Sequence, residues 1–582
     1  MIKARLKELK KSFIVIFLVS LLLVTPQILN HSLILGADSI FHMNRIYDTY
    51  MQFKTGNFNY FQTNYGFIQS GRVVNAVYGP GFAYILGVIL LSVHSWFKFQ
   101  VITSFLGFFI SGYSMYYLSR TMKVKRNIAL MTAVLFMGSF WGTSWEINQN
   151  FMTWGIMLMP LVVVMGLRMI DADTEKFKVI PLALIVSFMI QVHMLSAAMS
   201  VVVLGIFFII AIIKNDNKIN LLLKCIFASV LALLLTFNLW GSMLELFTSN
   251  TLYSPFAEED MAGWTMNIST GNYDYIHLGI VMSILFIAQI LVVFSRIKEA
   301  SLANKVVTFT GAGFLLLSSN VFPWKLVSEH FPQLQTFLQF PYRFNGFAMV
   351  LLLAGLGVTL SGITTISMKK NLEIGLMVGC TFVLYQAYDS LQHTNEYWNS
   401  NQPIVKKSGL TYSGHYSNKQ IVRGFTSSDL GVGISMVRKS NPDYLPEYHG
   451  GTNDSYGTYD KKINKYEEKI SKSVDKGTLK IKWTAKSKNE TVELPVVVYK
   501  NSKVLLNGKK LTKKDLKLST IGTPTVISRK KGQNTLSLSY RSKIVTNKRL
   551  IVVAFAWMVS LLIVLITYFK TIKIKLRNRP SK

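Results

Sequence analysis

Long apolar runs separated by short polar connections dominate the first two-thirds of the chain, and a two-residue alternation replaces them further on. The runs fall at about 12–29, 100–118, 127–145, 151–170, 180–193, 195–213, 221–240, 276–294, 306–321, 346–363, 372–386 and 550–569. Most approach the ~20 residues that a helix needs to cross the hydrocarbon of a bilayer. They predict about twelve transmembrane helices, with a tight helical hairpin where 180–213 turns at His193. One further run, 82–93, breaks the register. It is expected as a juxtamembrane or re-entrant helix inside a long first loop, 30–99, punctuated by Tyr78-Gly79-Pro80-Gly81.

Charge assigns sides to these helices. Connections holding Arg120, Lys123, Lys125 and Arg126, then Lys176 and Lys178, Lys214 and Lys218, Arg296 and Lys298, and Lys369 and Lys370 alternate with connections nearly free of Lys and Arg. The former are expected in the cytoplasm, together with Lys3, Lys582 and the basic tail. Lys3, Arg5, Lys7, Lys10 and Lys11 precede the first run, and no small-residue cleavage site follows it, so that helix is expected to be retained. The first loop then lies outside.

Between Asp389 and Asn547 the chain turns polar and Lys-rich. Residues 478–483, 491–499 and 535–540 alternate as strands do, and Leu506-Asn507-Gly508-Lys509 reads as a hairpin turn. The expected architecture is a polytopic α-helical membrane protein in three parts: a transmembrane domain at 1–388, an extracellular β-sandwich-like domain at 389–547, and a last transmembrane helix with its tail at 548–582. Composition agrees, since only 16% of the 582 residues are charged, too few for a soluble enzyme of this length. The net charge is nevertheless +33, which reads as bilayer topology plus an anionic extracellular partner, because no nucleic-acid motif accompanies it. The basic face of the β domain either leans on anionic polymer or lipid headgroups or is simply solvated. Cys225 and Cys380 sit in apolar runs and form neither a disulfide framework nor a metal knuckle.

The candidate chemistry lies at the outer rim. In Gly36-Ala37-Asp38-Ser39-Ile40-Phe41-His42-Met43-Asn44-Arg45, a helix would bring Asp38, His42 and Arg45 to one face. Asp38 is either a general base or a helix cap or ion-pair partner. His42 orients that acid, binds substrate or is structural, and Arg45 pairs with Asp38 or with a phosphate. Leu338-Gln339-Phe340-Pro341-Tyr342-Arg343-Phe344 sets a guanidinium among aromatics at the start of a late helix, suited to phosphate or to interfacial snorkelling. Gln339 and Tyr342 accompany it as substrate-binding candidates. Glu146 binds an acceptor or a metal, or is loop solvation; His193 is a site residue or a helix–helix hydrogen bonder. Tyr60, Phe61, Tyr65, Phe67 and Tyr78 stack on sugars or form an interfacial belt.

In this order, the first loop, the 338–344 motif, Pro442-Asp443-Tyr444-Leu445-Pro446-Glu447-Tyr448 and the terminal strands resemble the GT-C superfamily of membrane glycosyltransferases. More closely, they resemble the bacterial YfhO-type proteins and the neighbouring membrane family labelled 6-pyruvoyl-tetrahydropterin-synthase-related. That label implies no pterin chemistry, since no His cluster has zinc-ligand spacing. The resemblance implies transfer of a sugar from a polyprenyl-phosphate donor to a cell-surface polymer, such as teichoic acid, or a glycolipid on the outer face of a bacterial plasma membrane. It places Asp38 at the acidic position of the first external loop. Ser39 follows where an acidic pair would stand, so a divalent metal is allowed but not required. The competing expectations are a transporter or flippase of lipid-linked glycans and a non-enzymatic wall-binding protein.

Overall fold

The computed structural model describes residues 2–171, 174–400, 402–404, 411–512 and 515–577; Lys582, expected in the cytoplasm, lies outside them. The described chain is mostly helical, with a β-rich unit before its last helix. Eight of the described helices are long and apolar enough to cross a membrane: Lys10–Leu29, Trp96–Thr121, Arg126–Asn148, Phe151–Met169, Met194–Lys214, Lys218–Leu235, Pro341–Ser361 and Asn547–Lys570. The apolar helices Pro80–Val93, Val179–Val192, Ile280–Ser295 and Leu302–Ser318 are shorter. The chain is thus a multi-pass membrane protein, but length and composition do not confirm about twelve crossings. The run at 372–386 falls in a 34-residue helix, Ile366–Asn399, whose ends carry Lys369, Lys370, Glu373 and Asp389. That helix continues through Asp389, where the polar segment was expected to begin.

Polar side chains divide two of the expected crossings. Ser139 accepts the Gly142 N–H and restarts a helix at Phe140, so Arg126–Met137 and Phe140–Asn148 are separate pieces. Likewise Lys218–Leu235 stops at Thr236 and Phe237–Ser249 begins anew. Phe151–Met169 and the first three-quarters of Asn345–Ser361 are buried almost all round, so they form the centre of the helical body.

Over one end of that body lies the first loop. Its helix Ser39–Thr55 packs on Pro80–Val93, where Thr49 Oγ1 donates to the Ala83 carbonyl at 2.9 Å. Two side chains on the helix then gather the next turn. Asp48 Oδ1 accepts from the Tyr65 N–H at 2.7 Å, and Asn44 Oδ1 accepts from the Phe67 N–H at 2.6 Å. The captured segment is strained: Phe67, Ile68 and Gln69 have φ of 51°, 55° and 52°. A left-handed conformation costs an L-residue about 1–2 kcal/mol, and β-branched Ile68 is among the least tolerant. Lys472 offsets that cost by donating to the carbonyls of Ile68 and Pro495, while the Val497 N–H donates to Ser70.

The β unit has an antiparallel sheet ordered Ser471–Asp475, Thr478–Ala485, Gly532–Tyr540, Ser502–Leu506, Lys509–Lys510. A smaller sheet of Lys517–Leu518, Pro524–Ile527 and Thr491–Glu493 accompanies it. Alternation works as expected in Thr478–Ala485, which buries Leu479, Ile481, Trp483 and Ala485. Asn507 and Gly508 both have positive φ, as a two-residue hairpin requires. The expected strand at 491–499 is a correction: only Thr491–Glu493 pairs. Pro495 has no N–H to give a ladder, and Val497 sends its own to the first loop.

Glu245, on Phe237–Ser249, fastens this unit to the helices. It is 3% exposed and accepts from Asn501, Tyr540, Ser542 and the N–H groups of Lys543 and Ile544. Glu245→Ala orphans these donors together, and is expected to cost about 3 kcal/mol locally. Hydrogen exchange at 540–546 should accelerate at least tenfold; protection equal to the parent's would show that the fastening lies elsewhere.

Candidate functional site

Asp38 occupies the N-cap position of Ser39–Thr55, yet its side chain makes no capping hydrogen bond. Its backbone N–H is held by the Asn148 carbonyl at 3.0 Å. The loop can come this close because position 36 is glycine; a side chain at Gly36 would overlap the backbone of Ile147 and Asn148. The backbone at Asp38 is therefore fixed in place, and its carboxylate has no capping role. Its ion-pair partner is Lys439, whose Nζ lies 3.5 Å from Oδ1 and donates to the Ala37 carbonyl at 2.7 Å. Asp38 also acts electrostatically on Tyr78, Tyr275, Tyr342 and Arg343, so these groups converge on one carboxylate that is 37% exposed.

Arg45 does not pair with Asp38. Its guanidinium is wedged between the rings of Tyr78 and Phe151, 5.0 and 5.2 Å from their centroids, and donates to the Gly79 carbonyl at 3.2 Å. It is 1% exposed. Aromatic faces offset the loss of water around this charge. His42 stacks on Phe151 with centroids 4.0 Å apart and an 8° tilt, and its Nδ1 lies 3.4 Å from Arg45 Nη1. Burial, then the cations Arg45 and Lys439, hold the His42 imidazole well below its ordinary range. It is neutral, so Nδ1 accepts from Arg45. The face shared by Asp38, His42 and Arg45 is real, but only Asp38 opens from it.

Arg343 lies within electrostatic reach of Asp38. Its Nη1 donates to the Leu338 carbonyl at 2.6 Å, its Nη2 to Gln339 Oε1 at 3.2 Å, and its guanidinium lies 4.8 Å from the Phe340 centroid. Two of its five N–H groups are thereby engaged, and Tyr342 is a further hydrogen-bonding neighbour. Gln339 has φ 60° and donates to the Phe256 carbonyl at 2.6 Å, so it positions Arg343. Tyr342 stacks on Tyr275 and Phe340 at 5.2 and 5.4 Å. His193 caps Met194–Lys214 by accepting the Ser196 N–H, and it faces both Arg343 and His42. Tyr78 lies against Phe41 and Tyr444.

Glu146 stands apart. It is 1% exposed, with Ser104 and Asn395 as neighbours, which excludes loop solvation. Arg72 is structural, donating to the carbonyls of Asn441 and Asp443 at 2.7 and 2.8 Å. Lys439 and Tyr275 are the members that pattern reading missed. Neither sits in a periodic segment, and Lys439 reaches Asp38 across 401 positions.

Among the described residues no three His, Cys, Asp or Glu side chains are grouped to hold a metal ion, and Asp38 stands with cations in place of a second carboxylate. Beside Arg343, Phe344 closes one end of an apolar groove of about 680 Å³ between Met194–Lys214 and Leu302–Ser318. Met199, Val202, Phe309 and Phe314 are among its walls.

No family model and no curated relative matches the chain. It is similar to the crystal structure of the Archaeoglobus fulgidus oligosaccharyltransferase in the apo form, with a TM-score of 0.43 and 10% identity over 77% of this chain and 63% of that one. The complex of the same protein with Zn and sulfate gives a TM-score of 0.40 and 13% identity, over 66% and 54%. The chain thus spans less than two-thirds of either.

The depressed His42 fixes a sign. Unfolded, the imidazole takes up a proton near pH 6.5; folded, it does so only at lower pH. Stability is therefore full above about 6.5 and falls as the pH drops below it, by up to ~1.4 kcal/mol per pH unit from this group. His42→Phe keeps the stack on Phe151 and should flatten that limb. Melting of the detergent-solubilised protein between pH 7.5 and 5 reads it, and parallel profiles for parent and variant would exclude His42 as the cause.

Proposed function

We propose that the chain is a GT-C-type membrane glycosyltransferase. It moves a sugar from a polyprenyl-phosphate donor to a cell-surface polymer or glycolipid on the outer face of a bacterial plasma membrane. The observation that carries the reading is Asp38, free of any capping hydrogen bond, within electrostatic reach of Arg343, whose neighbour Phe344 lines an apolar groove. The sequence resemblance, which matches Asp38 to the family's acidic position, supports it independently.

The geometry suits the chemistry. Lipid tails lie in the groove and leave the phosphate beside Arg343, where unengaged N–H groups bind its oxygens. An acceptor hydroxyl attacks the anomeric carbon as the bond from that carbon to the phosphate oxygen breaks. The electron pair leaves with the phosphate, whose charge Arg343 balances, and Asp38 takes the hydroxyl proton. Lys439, 3.5 Å from Oδ1, orients Asp38 beforehand. No step runs through a metal. Charged groups gathered at one rim favour this over a flippase, which needs polar groups along its path.

Asp38→Asn preserves shape and removes the proton acceptor. Transfer should fall at least a hundredfold with expression and membrane insertion unchanged, and the lipid-linked donor should accumulate. Near-normal transfer would take Asp38 out of the base role, and a donor stranded on the inner leaflet would favour the flippase. Arg343→Lys keeps charge but loses the fork, so transfer from a short-chain polyprenyl-phosphate sugar should weaken by about 2 kcal/mol, and with Arg343→Ala by up to ~4 kcal/mol. Parent-like rates in both would make Arg343 an interfacial anchor.

A further inference from the structure

A second cavity, of about 580 Å³, lies between the loop helix Ser39–Thr55, the turn Gly431–Met436 and the β unit. Its size is that of a small-molecule site, roughly 300–1,000 Å³. Nothing in the chemistry above uses it. Its floor includes Ile68 and Gln69 of the left-handed turn, and backbone strain of this kind gathers at ligand-binding positions. A separate small space of about 10 Å³ lies beside it and is lined by Lys439, the partner of Asp38. Asn44, Ile68, Ile434 and Arg438 line both spaces. Along the helix, Asn44 stands about 9 Å beyond Asp38.

Resting on the transferase reading, we infer that this cavity binds an uncharged saccharide unit of the acceptor, about 9 Å along the helix from Asp38. Tyr47, Tyr65 and Tyr466 supply aromatic faces for the C–H face of a pyranose. Asp429 and Glu468 supply acceptors for its hydroxyls. Each carboxylate has one oxygen committed within the protein, Asp429 to the Gly431 N–H and Glu468 to the Tyr466 hydroxyl, and one that is open. Lys472 cannot serve an anion, since its ammonium is turned into the Ile68 and Pro495 carbonyls. Arg438 gives its Nε to the Ser435 carbonyl and its Nη1 to the Asn464 carbonyl. The two open carboxylates repel a polyphosphate and suit a neutral sugar. The inference therefore selects a neutral glycan or glycolipid over an anionic polymer as the acceptor.

The test is calorimetric titration of the full chain in detergent with maltotriose, N,N′-diacetylchitobiose and a short poly(glycerol phosphate). At least one neutral saccharide should bind. Its affinity should fall about tenfold in Tyr466→Ala, the loss of one stacked ring, and similarly in Asp429→Asn with Glu468→Gln, which keep the cavity's shape. Binding of the poly(glycerol phosphate) alone would overturn the inference, as would saccharide binding that all these variants leave unchanged. Either result leaves the transferase reading standing, because that reading is judged on Asp38→Asn with donor and transfer assays. Conversely, cavity-dependent saccharide binding in a chain that transfers nothing would sink the transferase reading and not the site.

Discussion

The seating of the first loop on the helical body is the constraint on which the rest depends. Two backbone contacts achieve it, at Gly36 against Ile147 and at Gly79 against Gln191, and a side chain at either position would push the loop away. Between them, Arg45 is clamped by two rings and by the Gly79 carbonyl, so a buried cation acts as the loop's rivet. A charge with no carboxylate partner is tolerated there because π faces and a carbonyl dipole replace water. Asp38 inherits its position from these contacts, and its side chain keeps only the ion pair with Lys439.

That division of labour explains why the site holds many polar side chains and few free ones. Gln339, His193 and Arg45 spend their hydrogen bonds on neighbours, whereas Asp38 and part of the Arg343 fork remain open. Preorganisation of this sort leaves little to rearrange when charge develops on a reacting group. The β unit belongs to the same arrangement. Its Lys472 holds the strained turn, and its anchorage at Glu245 ties strand Gly532–Tyr540 to the helices.

Much of this was legible in the sequence because it is periodic or positional. Apolar runs gave the helices, alternation gave Thr478–Ala485, and location beside the rim brought Asp38, His42, Tyr78, His193, Tyr342 and Arg343 into one list that the fold brings together. What escaped was non-local. Lys439 and Tyr275 carry no local pattern, and Arg45 was misjudged because helical spacing tells which face a residue shares but not what covers that face. Glu146 looked like a loop residue, since nothing in 144–148 announces that Ile366–Asn399 will pass over it. The strand expected at 491–499 failed at Pro495, where a backbone rule should have outweighed alternation.

The turn at Phe67–Gln69 has a consequence for biogenesis. Its left-handed backbone is held by Lys472, 404 positions later than Ile68, and Asp38 meets Lys439 only after a comparable length of chain. At roughly 5–20 residues per second, about 20–80 s of translation separate the loop from the groups that complete it. During that interval the loop has every reason to relax to a right-handed or extended backbone. The nascent protein therefore enters the membrane with its rim unassembled, and competence arrives late and all at once, when the last polar segment folds back over the first.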